Sequence, residues 1–396
     1  MNLSDMIKPA VKNMPPSGIR KYFDLINEMK DAISLGIGEP DFVTPWGIRE
    51  AGIYSLEKGH SHYSSNPGFI ELRRQISSYV ERKYDVSYDP KNEIIVTVGA
   101  SEGIDITLRA LVGPGDEVII PEPSFVAYKG CASFTGATPV IIELTAENEF
   151  KLMPEQLEKA ITDKTKVVIL PYPNNPTGAI MTREEQQKIV DVLKDKDVVI
   201  ISDEIYAELT YSGKHVSFAS FPEIKEKTIL INGFSKAFAM TGWRIGYACG
   251  NKVLIEAMNK IHQYAIMCSP TTAQYAASEA LRDGDTEVEK MVREYNRRRR
   301  VMVSGFRKAG LDCFEPLGAF YVFPSIKSTG LTSDQFCEEL LKEEKVLVVP
   351  GSAFGRCGEG FIRATYANSY ENIVEAMKRI SRFAEKHRKQ GKAFAI

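Results

Sequence analysis

Lys236 stands between Phe234, Ala237, Phe238 and Met240, an unusual setting for a side chain that normally carries a solvated charge. Apolar neighbours keep water away. Desolvation and nearby cations favour the free amine over the ammonium, and a free amine is the form that attacks a carbonyl to make an imine. A lone lysine is still most often a surface charge. Three further segments invite the same attention. Ser202-Asp203-Glu204-Ile205-Tyr206 sets a carboxylate at the end of an apolar run and a phenol three residues later, although Ser202 or Asp203 also suits a helix cap. In Pro171-Tyr172-Pro173-Asn174-Asn175-Pro176-Thr177-Gly178 the prolines forbid regular structure, and the amides can aim donors at a ligand oxygen. Its plainer meaning is an Asn-Pro turn. Gly99-Ala100-Ser101-Glu102-Gly103 is a small-residue turn that opens a helix and offers free N–H groups to a phosphate, as many strand–helix connections do.

Each of these segments follows a short β-branched run. Such runs recur at 93–98, 117–120, 139–142, 166–170, 198–201, 228–231 and 244–248, with helical spacing between several of them, as at 102–111 and 183–193. Strand–helix alternation of this kind predicts an α/β unit with a mainly parallel sheet, in which ligands sit beyond the carboxyl ends of the strands. From about residue 288 the pattern changes to a long charged helix at 288–308, hairpin-like apolar runs at 319–324, 346–349 and 360–365, and an amphipathic helix at 371–386. These predict a smaller α+β domain. The expected division is an N-terminal arm over 1–44 that returns to the small domain, a large domain over 45–287 and the small domain over 288–396. Pro15-Pro16-Ser17-Gly18 and residues 36–45 give the arm its extended character. Arg297-Arg298-Arg299-Arg300 reads as a solvated helix face, and His60 with His62 as a loop pair.

The chain has 396 residues, 43% of them hydrophobic, enough for a large core split between two domains. Its 50 basic and 52 acidic side chains leave a formal charge of −2, so no field of one sign points to nucleic acid or a membrane surface. Small-molecule chemistry is the better expectation. Six cysteines without a C-x-x-C pair and only five histidines predict reduced thiols in a cytoplasmic protein, with neither a disulfide framework nor a metal centre. The start of the chain lacks the apolar core of a secretory signal, and no run is long enough to span a bilayer.

An imine-forming lysine, a carboxylate for a ring nitrogen, and donors for a phenolate and a phosphate are together what pyridoxal phosphate requires. Here the chain resembles the class I aminotransferases of fold type I, specifically their gamma subgroup and its alanine- and aspartate-transaminase-like members, nearly end to end. The resemblance rests on Gly36-Ile37-Gly38-Glu39-Pro40-Asp41-Phe42, Tyr63 with Pro67-Gly68, Gly99-Ala100-Ser101-Glu102, Asn174 to Gly178, Ser202 to Tyr206, Ser235-Lys236, Gly242-Trp243-Arg244 and Phe361-Ile362-Arg363.

That resemblance implies a large domain with a mainly parallel seven-stranded sheet and an aminotransferase that uses pyridoxal 5′-phosphate held as an imine by Lys236. By the same token Asp203 pairs with the protonated ring nitrogen, while Tyr206 and Asn175 donate to the phenolate oxygen. Ala100, Ser101, Glu102, Ser235 and Arg244 surround the phosphate, Tyr63 reaches it from the partner subunit of a homodimer, and Phe125 stacks on the ring. Arg363 grips the substrate α-carboxylate and Gly38 leaves room for the substrate. One departure is Gly233, where many family members carry a serine; it removes one possible phosphate contact.

The implied reaction is ping-pong transfer of an α-amino group between an L-amino acid and 2-oxoglutarate. Ser101 occupies a position where some aspartate-preferring family members carry a lysine for the distal carboxylate, which favours alanine, with aspartate or an aromatic amino acid as alternatives. Two other activities share the fold: a C–S β-lyase, and an aminotransferase-like effector domain of a transcription regulator. The second should carry a DNA-binding module, and only about 40 residues, without a helix-turn-helix pattern, precede Asp41.

Overall fold

The computed structural model describes residues 2–15 and 31–393, with side chains as far as residue 388. Pro16, Ser17 and Gly18 of the expected arm lie outside the described residues. The arm enters the fold at β1 (Ile33–Ser34), which lies parallel to β10 (Val346–Leu347) with Ile33 opposite Val346. One residue further, Leu35 donates to Leu347 O at 2.8 Å and accepts from Thr365 N at 2.8 Å.

Among the described residues the central sheet has seven strands: β2 (Ile94–Thr97), β3 (Glu117–Glu122), β4 (Thr138–Glu143), β5 (Thr165–Leu170), β6 (Val199–Asp203), β7 (Thr228–Gly233) and β8 (Gly246–Cys249). Their spatial order is β2-β8-β7-β6-β5-β3-β4. The seven apolar runs of the sequence are these seven strands. Ile94-Ile95-Val96, Val118-Ile119-Ile120 and Val167-Val168-Ile169-Leu170 are buried throughout, because helices cover both faces of a sheet built by crossover connections. Each fully buried side chain of this size contributes about 1.5–3 kcal/mol.

Every pairing from β7 to β4 is parallel, whereas β8 runs antiparallel to both β2 and β7. This reversal matters for the site: it brings the start of β8 to the rim where the neighbouring strands end. The run expected at 244–248 begins two residues late, at Gly246, since Arg244 has φ +53° in the left-handed region and cannot continue a strand. Gly246 then touches the small-residue turn directly. A Cβ there would lie 2.7 Å from Ala100 N, and one on Gly233, its partner on β7, 2.9 Å from Gly246 Cα.

In the last third, β12 (Ile362–Thr365) pairs antiparallel with both β9 (Tyr321–Val322) and β11 (Val349–Pro350). The single run expected at 346–349 is therefore two strands. Leu347 pairs with the arm and Val349 with Arg363, so the chain changes partners at the buried Val348. The long helices Asp285–Lys308 and Tyr370–Ala393 cover these strands. One buried cluster joins Tyr295, Phe306, Phe320, Phe336 and Phe383 with Leu35 of the arm and Tyr206, while three others pack against the central sheet.

The basic run at 297–300 corrects the expectation of a solvated face. Arg298 and Arg299 are 7% and 5% exposed. Arg298 Nη1 binds Asp41 at 2.8 Å and its Nε binds Glu294 at 2.8 Å, while Arg299 Nε binds Asn296 at 3.0 Å. Two buried guanidiniums need fixed acceptors, and Asp41 of the arm supplies one of them. His60 stacks on Tyr275 at 4.8 Å in an exposed stretch. Among the described residues no helix is long and apolar enough to cross a membrane.

Candidate active site

A cavity of about 500 Å³ opens where β2, β3, β5, β6 and β7 end and β8 begins, closed from the other side by residues 37–39, Tyr321 and Arg363. Of the thirteen residues singled out from the sequence, the cavity walls bring together eleven: Gly38, Ala100, Ser101, Phe125, Asn175, Asp203, Tyr206, Ser235, Lys236, Arg244 and Arg363. Glu102 and Tyr63 are not among them.

Lys236 follows β7 on a turn whose apolar residues Phe234, Ala237, Phe238 and Met240 pack into the cluster behind the sheet. Its Nζ donates to Gly38 O at 2.7 Å and lies 5.7 Å and 5.6 Å from the ring centres of Tyr206 and Phe320. Burial pulls the ammonium down to about 8; Glu39 opposes this, and the positive Arg363 and Arg244 add to it. Far more free amine is therefore present near neutral pH than an ordinary lysine offers, and it reaches about half near pH 8.

Asp203 is the last residue of β6 and is 5% exposed. Neutral donors hold it: Tyr128 Oη to Oδ2 at 2.7 Å and Ile205 N to Oδ1 at 3.2 Å. Burial raises its pKa, and the two hydrogen bonds pull the other way. A protonated ring nitrogen against this carboxylate would supply the opposite charge that a buried anion calls for.

Tyr206 and Tyr321 share a hydrogen bond between hydroxyls at 2.8 Å. Burial, followed by the proximity of Tyr321, keeps the Tyr206 phenol protonated far into the alkaline range, so it can serve as a donor. Arg363, on β12, is 3% exposed. Nη1 donates to Asn175 Oδ1 at 2.9 Å and Nη2 to Gly36 O at 2.6 Å, whereas Nε is buried without a partner. The guanidinium lies over the rings of Tyr321 at 4.4 Å and Phe354 at 4.8 Å. A buried cation with neutral partners and an orphaned donor is matched to an incoming carboxylate.

The third part of the cavity is the turn before the helix Ala100–Leu111. Gly99 has φ +77°, and a Cβ there would lie 2.6 Å from Arg244 Nη2, so glycine lets the guanidinium come up to the helix start. Arg244 Nη1 also donates to Thr241 O at 2.8 Å. Free N–H groups, the positive end of the helix and an arginine make an anion cradle.

Imine amine, buried carboxylate, phenol and anion cradle therefore fit pyridoxal phosphate. Glu102 stands at this turn, but its side chain is not on the cavity wall. Its carboxylate turns back to accept from Val98 N and faces His262 Nδ1 at 2.6 Å, which leaves only its main-chain N–H for an anion. Tyr63 is 80% exposed, outside the cavity of its own chain.

Sequence reasoning passed over Tyr128, Ile104, Pro173, Ile205 and Thr241, which also line the cavity. A signal existed for Tyr128: it lies three residues beyond Phe125 where the helix Ala127–Thr135 starts, and the two rings meet edge-on at 5.6 Å.

Residues 30–380 match the family model of aminotransferase class I and II. YugH of Bacillus subtilis (strain 168), named as an aminotransferase without a substrate, is 52% identical over 97% of this chain and 100% of its own. An aspartate aminotransferase from Pyrococcus abyssi is 45% identical, covering 93% of this chain and 95% of that one. The crystal structure of an aromatic aminotransferase from Pyrococcus horikoshii OT3 superposes with a TM-score of 0.88 at 43% identity, over 92% of this chain and 99% of that one.

Proposed function

The chain belongs to the class I and II aminotransferases, which depend on pyridoxal 5′-phosphate, and from that premise we propose that it exchanges amino groups between an L-amino acid, alanine before aspartate, and 2-oxoglutarate, with Lys236 as the amine that attaches the cofactor. The observation that carries this is Lys236 itself, buried, lowered to about 8 and facing a carboxylate, a phenol and an arginine across one cavity. When bound, the cofactor supplies an aldehyde for amines and a ring that withdraws electrons from the substrate α-carbon.

Arg363 binds the substrate α-carboxylate with Asn175 steadying its Nη1, and so fixes which bond of the α-carbon faces Lys236. With the cofactor bound, the Nζ of Lys236 would be the base that takes the proton from the substrate α-carbon and the acid that gives a proton back. Asp203 would keep the ring nitrogen protonated. Tyr206 and Asn175 would donate to the phenolate oxygen, Phe125 would stack on the ring, and Ala100, Ser101, Glu102 through its N–H, Ser235 and Arg244 would hold the phosphate. Gly38 keeps the substrate's entry clear. The same proposal includes a cytoplasmic homodimer in amino-acid metabolism, to whose paired sites Tyr63 reaches from the neighbouring subunit. It also retains an arm over 1–44, a large domain over 45–287 and a small domain over 288–396, supported by the pairing of β1 with β10.

The preference for alanine rests on charge. The cationic side chains on the cavity wall are Lys236, Arg244 and Arg363, and each already has a role. Ser101 adds none. A distal carboxylate buried beside Glu39 lacks a partner, which costs several kcal/mol, while a methyl group needs no partner. 2-Oxoglutarate as the shared acceptor rests on the resemblance to this family and not on a residue of the cavity. Half-reactions of the cofactor-loaded protein with alanine, aspartate, glutamate and phenylalanine test this through their second-order rate constants. Alanine should exceed aspartate; the reverse order contradicts the preference. Pyruvate with ammonia or thiol, formed without a 2-oxo acid acceptor, would mark a β-lyase instead.

A further inference from the structure

Glu102 sets a negative charge in the first turn of the helix whose start forms the anion cradle. Its charge suits the helix dipole but has the wrong sign for a phosphate neighbour. The hydrogen bonds explain how both are accommodated. One carboxylate oxygen, Oε2, accepts from Val98 N, bridging the strand end to the helix across Gly99. The other, Oε1, lies 2.6 Å from Nδ1 of His262, a wholly buried side chain of the helix Lys252–Ala265. A carboxylate only accepts, so Nδ1 must carry the proton.

We propose that His262 is a positioning residue for the cofactor phosphate, acting through Glu102. Gripped from one side by His262 and from the other by the main chain, the Glu102 carboxylate points away from the cavity. Residues 98–102 are thereby held in the one shape that presents the Ala100 and Ser101 N–H groups toward it. No contact between His262 and the cavity is needed. Without the imidazole, Glu102 has one anchor instead of two, and its charge is free to swing toward the phosphate. This rests on the reading above that the phosphate lies at this turn.

Affinity of the apoprotein for pyridoxal phosphate, compared with pyridoxal, which lacks the phosphate, separates the two questions. In His262→Phe, which keeps the ring volume and loses the donor, affinity for pyridoxal phosphate should fall about tenfold, while affinity for pyridoxal stays the same. His262→Asn, which can restore a donor near the place of Nδ1, should recover most of the loss. His262→Leu carries the same expectation should the phenyl ring not be accommodated. Equal loss for both ligands shows general damage to the fold and overturns the positioning role, as does unchanged affinity for pyridoxal phosphate. If the unmodified protein itself binds the two ligands equally, the phosphate reading fails first, and the proposal falls with it.

Discussion

The hydroxyl of Tyr128 donates to Asp203 Oδ2 at 2.7 Å, and this bond stabilises the charge of a carboxylate that burial would otherwise neutralise. Burial is the larger influence and raises the Asp203 pKa; Tyr128 lowers it. Removing the donor in Tyr128→Phe should therefore raise that pKa further and move the acid limb of the kcat profile to higher pH, with a loss of about tenfold at neutral pH. Asp203→Ala should lose about 10³-fold in kcat while still binding the cofactor. An unmoved acid limb in Tyr128→Phe would show that Asp203 does not set it.

Arg363 has neutral partners and an unpartnered Nε, so the substrate α-carboxylate should supply its counter-charge. Lysine offers a point charge in place of a planar fork. Arg363→Lys should reduce kcat/KM for amino acids about 10²-fold, mainly through KM, and leave the slow reaction of a simple amine without a carboxylate unaffected. A comparable loss with the simple amine would place the defect elsewhere.

Gly233 stands where many family members have serine, and here its space is taken. A Cβ would lie 2.9 Å from Gly246 Cα and 3.2 Å from Ile245 O, both main-chain atoms that cannot step aside cheaply. Gly233→Ser should destabilise the protein by about 1–3 kcal/mol, read from denaturant unfolding, despite offering the phosphate a hydroxyl. An unchanged unfolding midpoint contradicts this.

Tyr63 is exposed and far from complete burial in its own chain. If it serves the neighbouring subunit, mixing Tyr63→Phe and Lys236→Ala homodimers under subunit exchange should restore activity, because one site in each mixed dimer has both native residues. No recovery after verified exchange would confine Tyr63 to its own chain or to no role.

Much of this was legible in the chain because short buried strands announce themselves. Runs such as Val167-Val168-Ile169-Leu170 have no polar positions to confuse their period, and the residues just past them are where a parallel sheet exposes its ligand edge. Asp203, Ser235 and Lys236 were reachable by that logic alone. Arg363 and Gly38 were not: they come from distant parts of the chain, and only the resemblance pointed to them. The direction of Glu102 and the burial of Arg298 and Arg299 were hidden for a related reason. Each depends on a partner remote in sequence, His262 for the first and Asp41 for Arg298, and a local pattern of charges does not reveal where its counter-charges will come from. Tyr128 does carry a local signal, since it follows Phe125 by three residues and the two rings meet edge-on at the cavity wall.

Attachment of the cofactor to Lys236 is the claim on which the rest depends, and borohydride reduction followed by peptide mapping tests it most directly. With the amine lowered to about 8 by burial, attachment to the apoprotein should quicken as pH rises from 6 through about 8 and then level off, because the free-amine fraction does the same. The reduced adduct should map to Lys236, and Lys236→Ala should yield none while retaining its fold. A reduced adduct on any other lysine, or one that persists at full yield in Lys236→Ala, would contradict the assignment.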